Sequence, residues 1–292
     1  MARERSLRIG FIGPGTVGRA LAQGFASNGY RVASLYGRDP NRLDAAVSHV
    51  PGATAADSAQ AVVDASNLVF LTVPDDAIEP VADSLTWREG ISAVHCSGVA
   101  STEFLAAAMR AGASAAAFHP LQTLASVEQA LRNLSGSTFA IEATAPELEE
   151  TLCELASAVG GHPVTIDGSK ALYHASAVMA SNCLVTLVDA AAGLWSHLGL
   201  SKEEGLRALL PLIRGTIENL EAVGLPNALT GPVSRGDLGT VQANLEALKN
   251  VSPEAASLYT DMALRTIPVA RAKKSLDAEG EARLRDALDA NP

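Results

Sequence analysis

The sequence is poor in aromatic residues, in cysteine and in positive charge. Across 292 residues, Phe, Trp and Tyr make up 4%, there are three cysteines, and 22 Lys and Arg face 32 Asp and Glu. Cys96, Cys153 and Cys183 are odd in number, widely spaced and part of no CxxC or Cys/His cluster. That argues against a disulfide framework and a structural zinc site and suits a reducing compartment; no metal is expected. The net charge of −10 argues against general binding to nucleic acid or an anionic membrane, because both select a basic face. Residues 1–8 lead straight into a short apolar run broken by glycines, too short for a signal-peptide core, and point to the cytoplasm. Ala171 to Val188 carries no formal charge, but His174, Ser176, Ser181, Asn182 and Thr186 interrupt it, so a buried helix is expected rather than a membrane span.

What is present is an ordinary globular balance, with 48% hydrophobic and 18% charged residues. The length suits two domains, and the abundant alanine suits closely packed helices. Leu7 to Ile12 reads as a buried strand, then a glycine turn, a helix over Thr16 to Ser27 and a second strand over Arg31 to Tyr36. Asp39-Pro40 opens another helix as cap and first residue. Further strands are expected at Leu68–Val73, Ser92–Cys96, Ala115–Phe118, Thr138–Ile141 and Pro163–Ile166, with helical patterns between most of them. This alternation predicts an α/β domain, a doubly wound parallel sheet of Rossmann type. After Ile166 no strand pattern appears, so an all-helical domain is expected over 167–292, behind a dinucleotide-binding domain over 1–166. Its first element should be one long helix from Lys170 to about Leu198, capped by Asp167-Gly168-Ser169.

Gly13-Pro14-Gly15-Thr16-Val17-Gly18 is a G-x-G-x-x-G between a strand and a helix, the context that turns a weak pattern into a dinucleotide loop. The first glycine permits the tight turn, the second admits the pyrophosphate, the third lets helix pack on strand, and the helix N-terminus supplies N–H groups. NAD-specific sites place an acid at the tip of the second strand. Here the tip reads Tyr36-Gly37-Arg38-Asp39, which sets Arg38 to meet a 2′-phosphate, or leaves it a solvated loop arginine. The expected cofactor is NADP(H), with Val73-Pro74 passing beside it.

Ligands of such sheets sit beyond the carboxyl ends of the strands. Two more loops lie there, His95-Cys96-Ser97-Gly98 and His119-Pro120-Leu121-Gln122-Thr123. Ser97 and Gly98 offer a hydroxyl and close backbone N–H groups to cofactor or substrate carboxylate. His119 is a candidate acid, base or anion ligand, or else a backbone cap; Cys96 reads as packing. Lys170, His174 and Ser181 fall within about 40° of one stripe on their helix, with Asn182 about 120° from Lys170. A lysine in a first helical turn opposes the dipole, so it is either solvent-exposed or held at a cleft. At a cleft, Lys170 would stabilise and protonate the oxygen of a carbonyl under reduction, with His174 sharing the proton or orienting the substrate. In Thr230–Asp237, Arg235 either grips a substrate carboxylate or pairs with Asp237 to shape the loop.

Taken together, Phe11–Gly18, His95-Cys96-Ser97-Gly98, Phe118-His119-Pro120-Leu121, Lys170–His174 and Gly231–Asp237 resemble a family that pairs a Rossmann-like NADP oxidoreductase domain with a C-terminal helical domain of unknown function. That family is similar to the 3-hydroxyacid dehydrogenases, pyrroline-carboxylate reductases and ketopantoate reductases, and some members are thought to serve as alternative ketopantoate reductases. In the hydroxyacid dehydrogenases the helix-borne lysine is followed by Asn at the third and fourth positions; here those are Tyr173 and His174. The resemblance implies a homodimer built on the helical domain. The expectation is an NADPH-dependent reductase of a small anionic carbonyl compound, a 2-oxo acid, with 2-dehydropantoate the first candidate. Catalysis falls to Lys170, His174 and His119. Ser97, Gly98, His119, Asn182 and Arg235 face the substrate. The rivals are a reductase of the C=N bond of a cyclic imine acid and a non-catalytic NADP(H) sensor.

Overall fold

The structure is a computed structural model in which residues 7–289 are described; the segment read above for a leader lies largely outside them. The chain divides into two compact units after Ser181.

The first unit alternates strand and helix. The order is β1 (Arg8–Ile12), α1 (Thr16–Ser27), β2 (Arg31–Tyr36), α2 (Pro40–Val47), β3 (Thr54–Ala55), α3 (Ala59–Ala65), β4 (Leu68–Leu71), α4 (Asp75–Asp83), β5 (Ser92–His95), α5 (Ala106–Arg110), β6 (Ser114–Leu121), α6 (Val127–Leu134), β7 (Thr138–Ala143), α7 (Pro146–Ala158), β8 (His162–Thr165) and α8 (Lys170–Ala180). The strands form one sheet ordered β3-β2-β1-β4-β5-β6-β7-β8. The order reverses between β1 and β4, the switch point at which such sheets open a crevice. The expected doubly wound sheet is present with one departure: β7 runs antiparallel to β6, with Ala117 opposite Glu142. Strand propensity alone does not carry direction, so the sequence read only as parallel.

Strand side chains alternate between two cores. Ile9, Phe11, Leu68 and Phe70 join one core with α1, α2, α6 and α7; Ile12, Val69 and Leu71 join the other with α3, α4 and α5. The scarce aromatics are concentrated here. Phe70 stacks on Phe11 at 5.1 Å and meets Phe25 and Phe118 at 5.7 Å each, and Phe118 meets Phe139 at 4.8 Å. The expected helix from Lys170 to about Leu198 is present with one interruption. It breaks at Ser181, whose backbone closes α8 on Ala177, because apolar composition alone carries no signal for a register break. The first compact unit thus includes α8 and ends at Ser181.

The second unit is helical: α9 (Asn182–Gly193), a 3-10 turn (Leu194–Leu198), α10 (Lys202–Val223), α11 (Leu238–Val251), α12 (Pro253–Ala272) and α13 (Ala278–Asp289). Its core comes from the last three, around Val241, Ala263, Ile267, Leu284 and Leu288. By contrast, α9 buries only Ala192 and α10, 22 residues long, only Gly205.

Removing a ring from the centre of the aromatic row leaves a cavity that close-packed neighbours cannot fill. Phe70→Ala should destabilise the sheet unit by about 3–5 kcal/mol, measured as a drop in the urea midpoint by circular dichroism. A change under about 1 kcal/mol would mean that the row is loosely packed.

Candidate active site

The glycine loop is shaped by Thr72, at the end of β4. Its hydroxyl donates to the Gly13 carbonyl at 2.6 Å, and its N–H to the Ile12 carbonyl at 2.8 Å. Gly13 has a φ of +98°, and a Cβ there would lie 2.7 Å from the Thr72 carbonyl; one on Gly18 would lie 2.3 Å from the Thr72 hydroxyl. No other residue fits at either place. Gly15 has nothing closer than 3.9 Å, so its backbone faces open space. That space is a cavity of about 570 Å³ bounded by Gly13, Pro14 and Gly15, by Gly37 and Arg38, and by Val73 and Pro74. Seven of the residues expected at the cofactor therefore share one cavity. Thr16, Val17 and Gly18 form the first turn of α1 behind it.

The rim carries the cofactor signal. Asp39 caps α2, accepting from the Asn41 and Arg42 N–H groups, and pairs with Arg42 at 3.5 Å. Arg38 is exposed at the rim and makes no ion pair among the described residues. Arg42 also lines the cavity, a second cation that sequence reading overlooked because helix position hid its direction.

Beside the switch point, the carboxyl ends of β5 and β6 and the start of α8 bring a second set together. The His119 Nδ1 lies 2.9 Å from the Tyr173 hydroxyl, and the His119 and His174 rings are 6.4 Å apart. Gly98 is wedged against both: a Cβ there would stand 2.8 Å from His174 Nδ1 and 2.9 Å from the His119 ring. The Lys170 ammonium lies 5.9 Å from the centre of the Tyr173 ring. It is buried, not the solvated lysine a first-turn position suggests. Neither its Nζ nor His174 Nδ1 has a hydrogen-bond partner among the described residues.

Burial dominates the protonation states. It pulls Lys170 below the ordinary lysine range, with the Glu142 carboxylate opposing. Burial, then the charge of Lys170, lowers His119 to about 4, and burial raises Tyr173 to about 12. His95 also falls to about 4, mainly through burial; its ring accepts from the Ser97 N–H at 3.2 Å and reaches the Ser101 carbonyl at 3.1 Å, a loop-fixing role. Burial pushes the Cys96 thiol up and leaves it inert. Ser97 is turned inward, accepting from the Val99 and Ala100 N–H groups, so its acceptor capacity serves its own loop. Sequence reading missed Tyr173 as a partner and Glu142 altogether. Glu142 accepts from the Thr102 hydroxyl at 3.1 Å, and its other oxygen is buried. It arrives on the reversed strand β7, so nothing in the spacing announced it. Asn182 and Arg235 belong to the helical unit: Asn182 opens α9, and Arg235 ends a 3-10 turn before Asp237, which caps α11.

Residues 8–94 match the family described as NADP oxidoreductase, coenzyme F420-dependent, and residues 137–266 match the domain of unknown function DUF2520. The chain is an NADP-dependent oxidoreductase. No curated protein matches the oxidoreductase's sequence. Among solved structures, protein TM1727 from Thermotoga maritima is 26% identical to it, with a TM-score of 0.74 over 91% of this chain and 99% of that one. A pyrroline-5-carboxylate reductase from Streptococcus pyogenes is 19% identical, with a TM-score of 0.61 over 91% and 98% of the two chains. A reductive aminase from Aspergillus terreus in complex with NADPH is 17% identical, with a TM-score of 0.64 over 98% and 99%. The last two establish the fold of the oxidoreductase. The open glycine cradle suits NADP(H): Gly13, Gly15 and Gly37 line the cavity that would take the dinucleotide, and Arg38 at its rim would meet the 2′-phosphate.

A charge-assisted contact to phosphate contributes about 1.5–3 kcal/mol. Arg38→Ala should therefore weaken NADPH roughly 10–100-fold and leave NADH nearly unchanged, as read by fluorescence titration; equal loss for both would remove Arg38 from the 2′-phosphate.

The histidines give a pH signature. His95 and His119 resist protonation in the fold down to about 4, against 6.5 for an unperturbed histidine. Between those values the unfolded chain binds more protons, so stability is full above about pH 6.5 and falls on acidification. The slope should reach about 1.4 kcal/mol per pH unit for each histidine, visible as a lower unfolding midpoint at pH 5 than at pH 7 and a shallower fall in His95→Asn.

Proposed function

We propose that this oxidoreductase uses NADPH to reduce the carbonyl of a small anionic substrate, a 2-oxo acid, with 2-dehydropantoate the first to try. The observation that carries the reading is the buried, unbonded ammonium of Lys170 beside the His119–Tyr173 pair and Gly98. A cation held out of water is costly unless it meets developing negative charge. Bound NADPH supplies the hydride. As the carbonyl carbon accepts it, the carbonyl electron pair moves to oxygen; Lys170 Nζ stabilises that oxygen and gives it a proton. His119, neutral at pH 7, holds the Tyr173 hydroxyl, and His174 presents Nδ1 toward Gly98, where backbone N–H groups can receive the substrate carboxylate. Glu142 keeps Lys170 charged against its burial.

Reduction of a cyclic imine acid is the second reading. It is favoured by the Tyr173–His119 pair, which offers neutral donors that an iminium tolerates better than an ammonium. The three cysteines are unpaired, which suits a cytoplasmic enzyme.

The helical unit supports a homodimer as the working form. α9 and α10 bury almost nothing within the chain, yet Val185, Leu212 and Val223 are 69%, 68% and 53% exposed. A helix pair with so little core is stable only when covered. By length and composition the stretch Lys170–Leu198 is also apolar enough to cross a membrane, but its break at Ser181 and its functional first turn favour a second copy of the chain as the cover.

Oxidation of NADPH at 340 nm against a panel of 2-oxo acids and cyclic imines tests the chemistry. Lys170→Ala should lower kcat on a 2-oxo acid about 10²–10⁴-fold. A donor acts only while protonated, so the wild-type rate should fall as pH rises through the depressed Lys170 value, below the ordinary lysine range; the variant loses that alkaline limb. Turnover confined to imines and indifferent to Lys170 would transfer the function to the second reading. NADPH binding with no turnover on either class would leave a sensor.

A further inference from the structure

The helical unit holds a cavity of about 510 Å³ that the reductase reading does not use. In a chain of net charge −10, Arg235, Arg271, Lys274 and Arg283 converge on it against a single lining carboxylate, Asp277. That carboxylate is already engaged, accepting from the Gly280 N–H at 2.8 Å at the start of α13. Arg271 is also committed: it donates to the Leu276 carbonyl at 2.7 Å and pairs with Glu281 at 3.2 Å. Asp237, two residues beyond Arg235, feels its charge but spends its oxygens on the N–H and hydroxyl of Thr240. Arg235, Lys274 and Arg283 therefore make no ion pair among the described residues.

Lys274 adds a second, independent oddity. Its φ of 61° is left-handed, and every other positive-φ residue among those described is a glycine. It stands just past the end of α12, where the Lys274 N–H bonds to Arg271 and the Ser275 N–H to Ala270. Glycine is the preferred residue at this position of a helix terminus, because a side chain there is strained. The helix dipole welcomes a cation near this end, but Lys273, one residue earlier, meets that preference in relaxed geometry, donating to the Leu229 carbonyl. The strained lysine instead lines the cavity with the two unpaired arginines.

We propose that this cavity binds the phosphate group of a small phosphorylated metabolite. A phosphate dianion has oxygens for several donors at once and a charge that unpaired cations can balance, whereas a single carboxylate needs only one arginine. The cavity volume leaves space for an organic substituent. This site does not depend on the chemistry proposed for Lys170.

The test uses the full chain saturated with NADP⁺, which keeps phosphate out of the dinucleotide cavity. Inorganic phosphate is titrated by calorimetry against sodium chloride at matched ionic strength. Saturable binding is expected at one phosphate per chain, weakened at least tenfold in R235A/R283A. Lys274→Gly should weaken it several-fold while leaving the thermal midpoint without phosphate equal to or above that of the parent, because glycine relieves the strained backbone. The proposal is overturned if phosphate gives no saturable heat beyond the chloride control, or if the double variant binds it unchanged. If the double variant fails to fold, Lys274→Gly decides alone: unchanged affinity overturns the site.

Discussion

The structure turns on the seating of Thr72 against the glycine loop. One short side chain ties the end of β4 to the turn after β1, across the line where strand order reverses. Because two glycines leave no Cβ in the way, helix α1 approaches the sheet closely enough for its first turn to overlook the crevice. Around that contact lie a bare backbone at Gly15, a helix terminus behind it, and the β2 tip with Arg38 across the opening, the features a dinucleotide site calls for.

The second set of functional groups depends on burial more than on proximity. Lys170 sits where helix electrostatics and desolvation both oppose its charge. Glu142, delivered by a strand antiparallel to β6, leans the other way, with Cys96 adding to it. Removing that carboxylate would leave the lysine still present but less often charged, so Glu142 is a positioning and tuning group rather than a reacting one. His95 and His119 are held neutral for the same reason that the lysine is depressed.

Legibility in the sequence follows the physics of each feature. The β1–loop–α1 unit was readable nearly to the residue, because strand, glycine spacing and helix start are all local signals. So was the cap at Ser169, which accepts from Leu172. The direction of β7, the break at Ser181 and the arrival of Glu142 beside Lys170 were not readable, since each is decided by contacts between distant segments. His119 and Lys170 could be nominated from position alone, but Tyr173 as the bridge to His119 required coordinates. Arg235 was visible as an unusual residue in an unusual loop; that Lys274 and Arg283 share its cavity was not, because they come from separate turns of the chain.

The lengths of β5 and β6 differ in a way that bears on how the backbone of β6 is satisfied. β5 ends at His95, opposite Ala117, while β6 continues to Leu121 with β7 as its only neighbour. A strand that outruns its neighbour exposes an unpaired edge, and such edges recruit strands from other molecules. Pro120 occupies that overhang and has no N–H to offer in either direction. Pro120 is itself buried, so the overhang carries no N–H at that position to be left without a partner inside the fold.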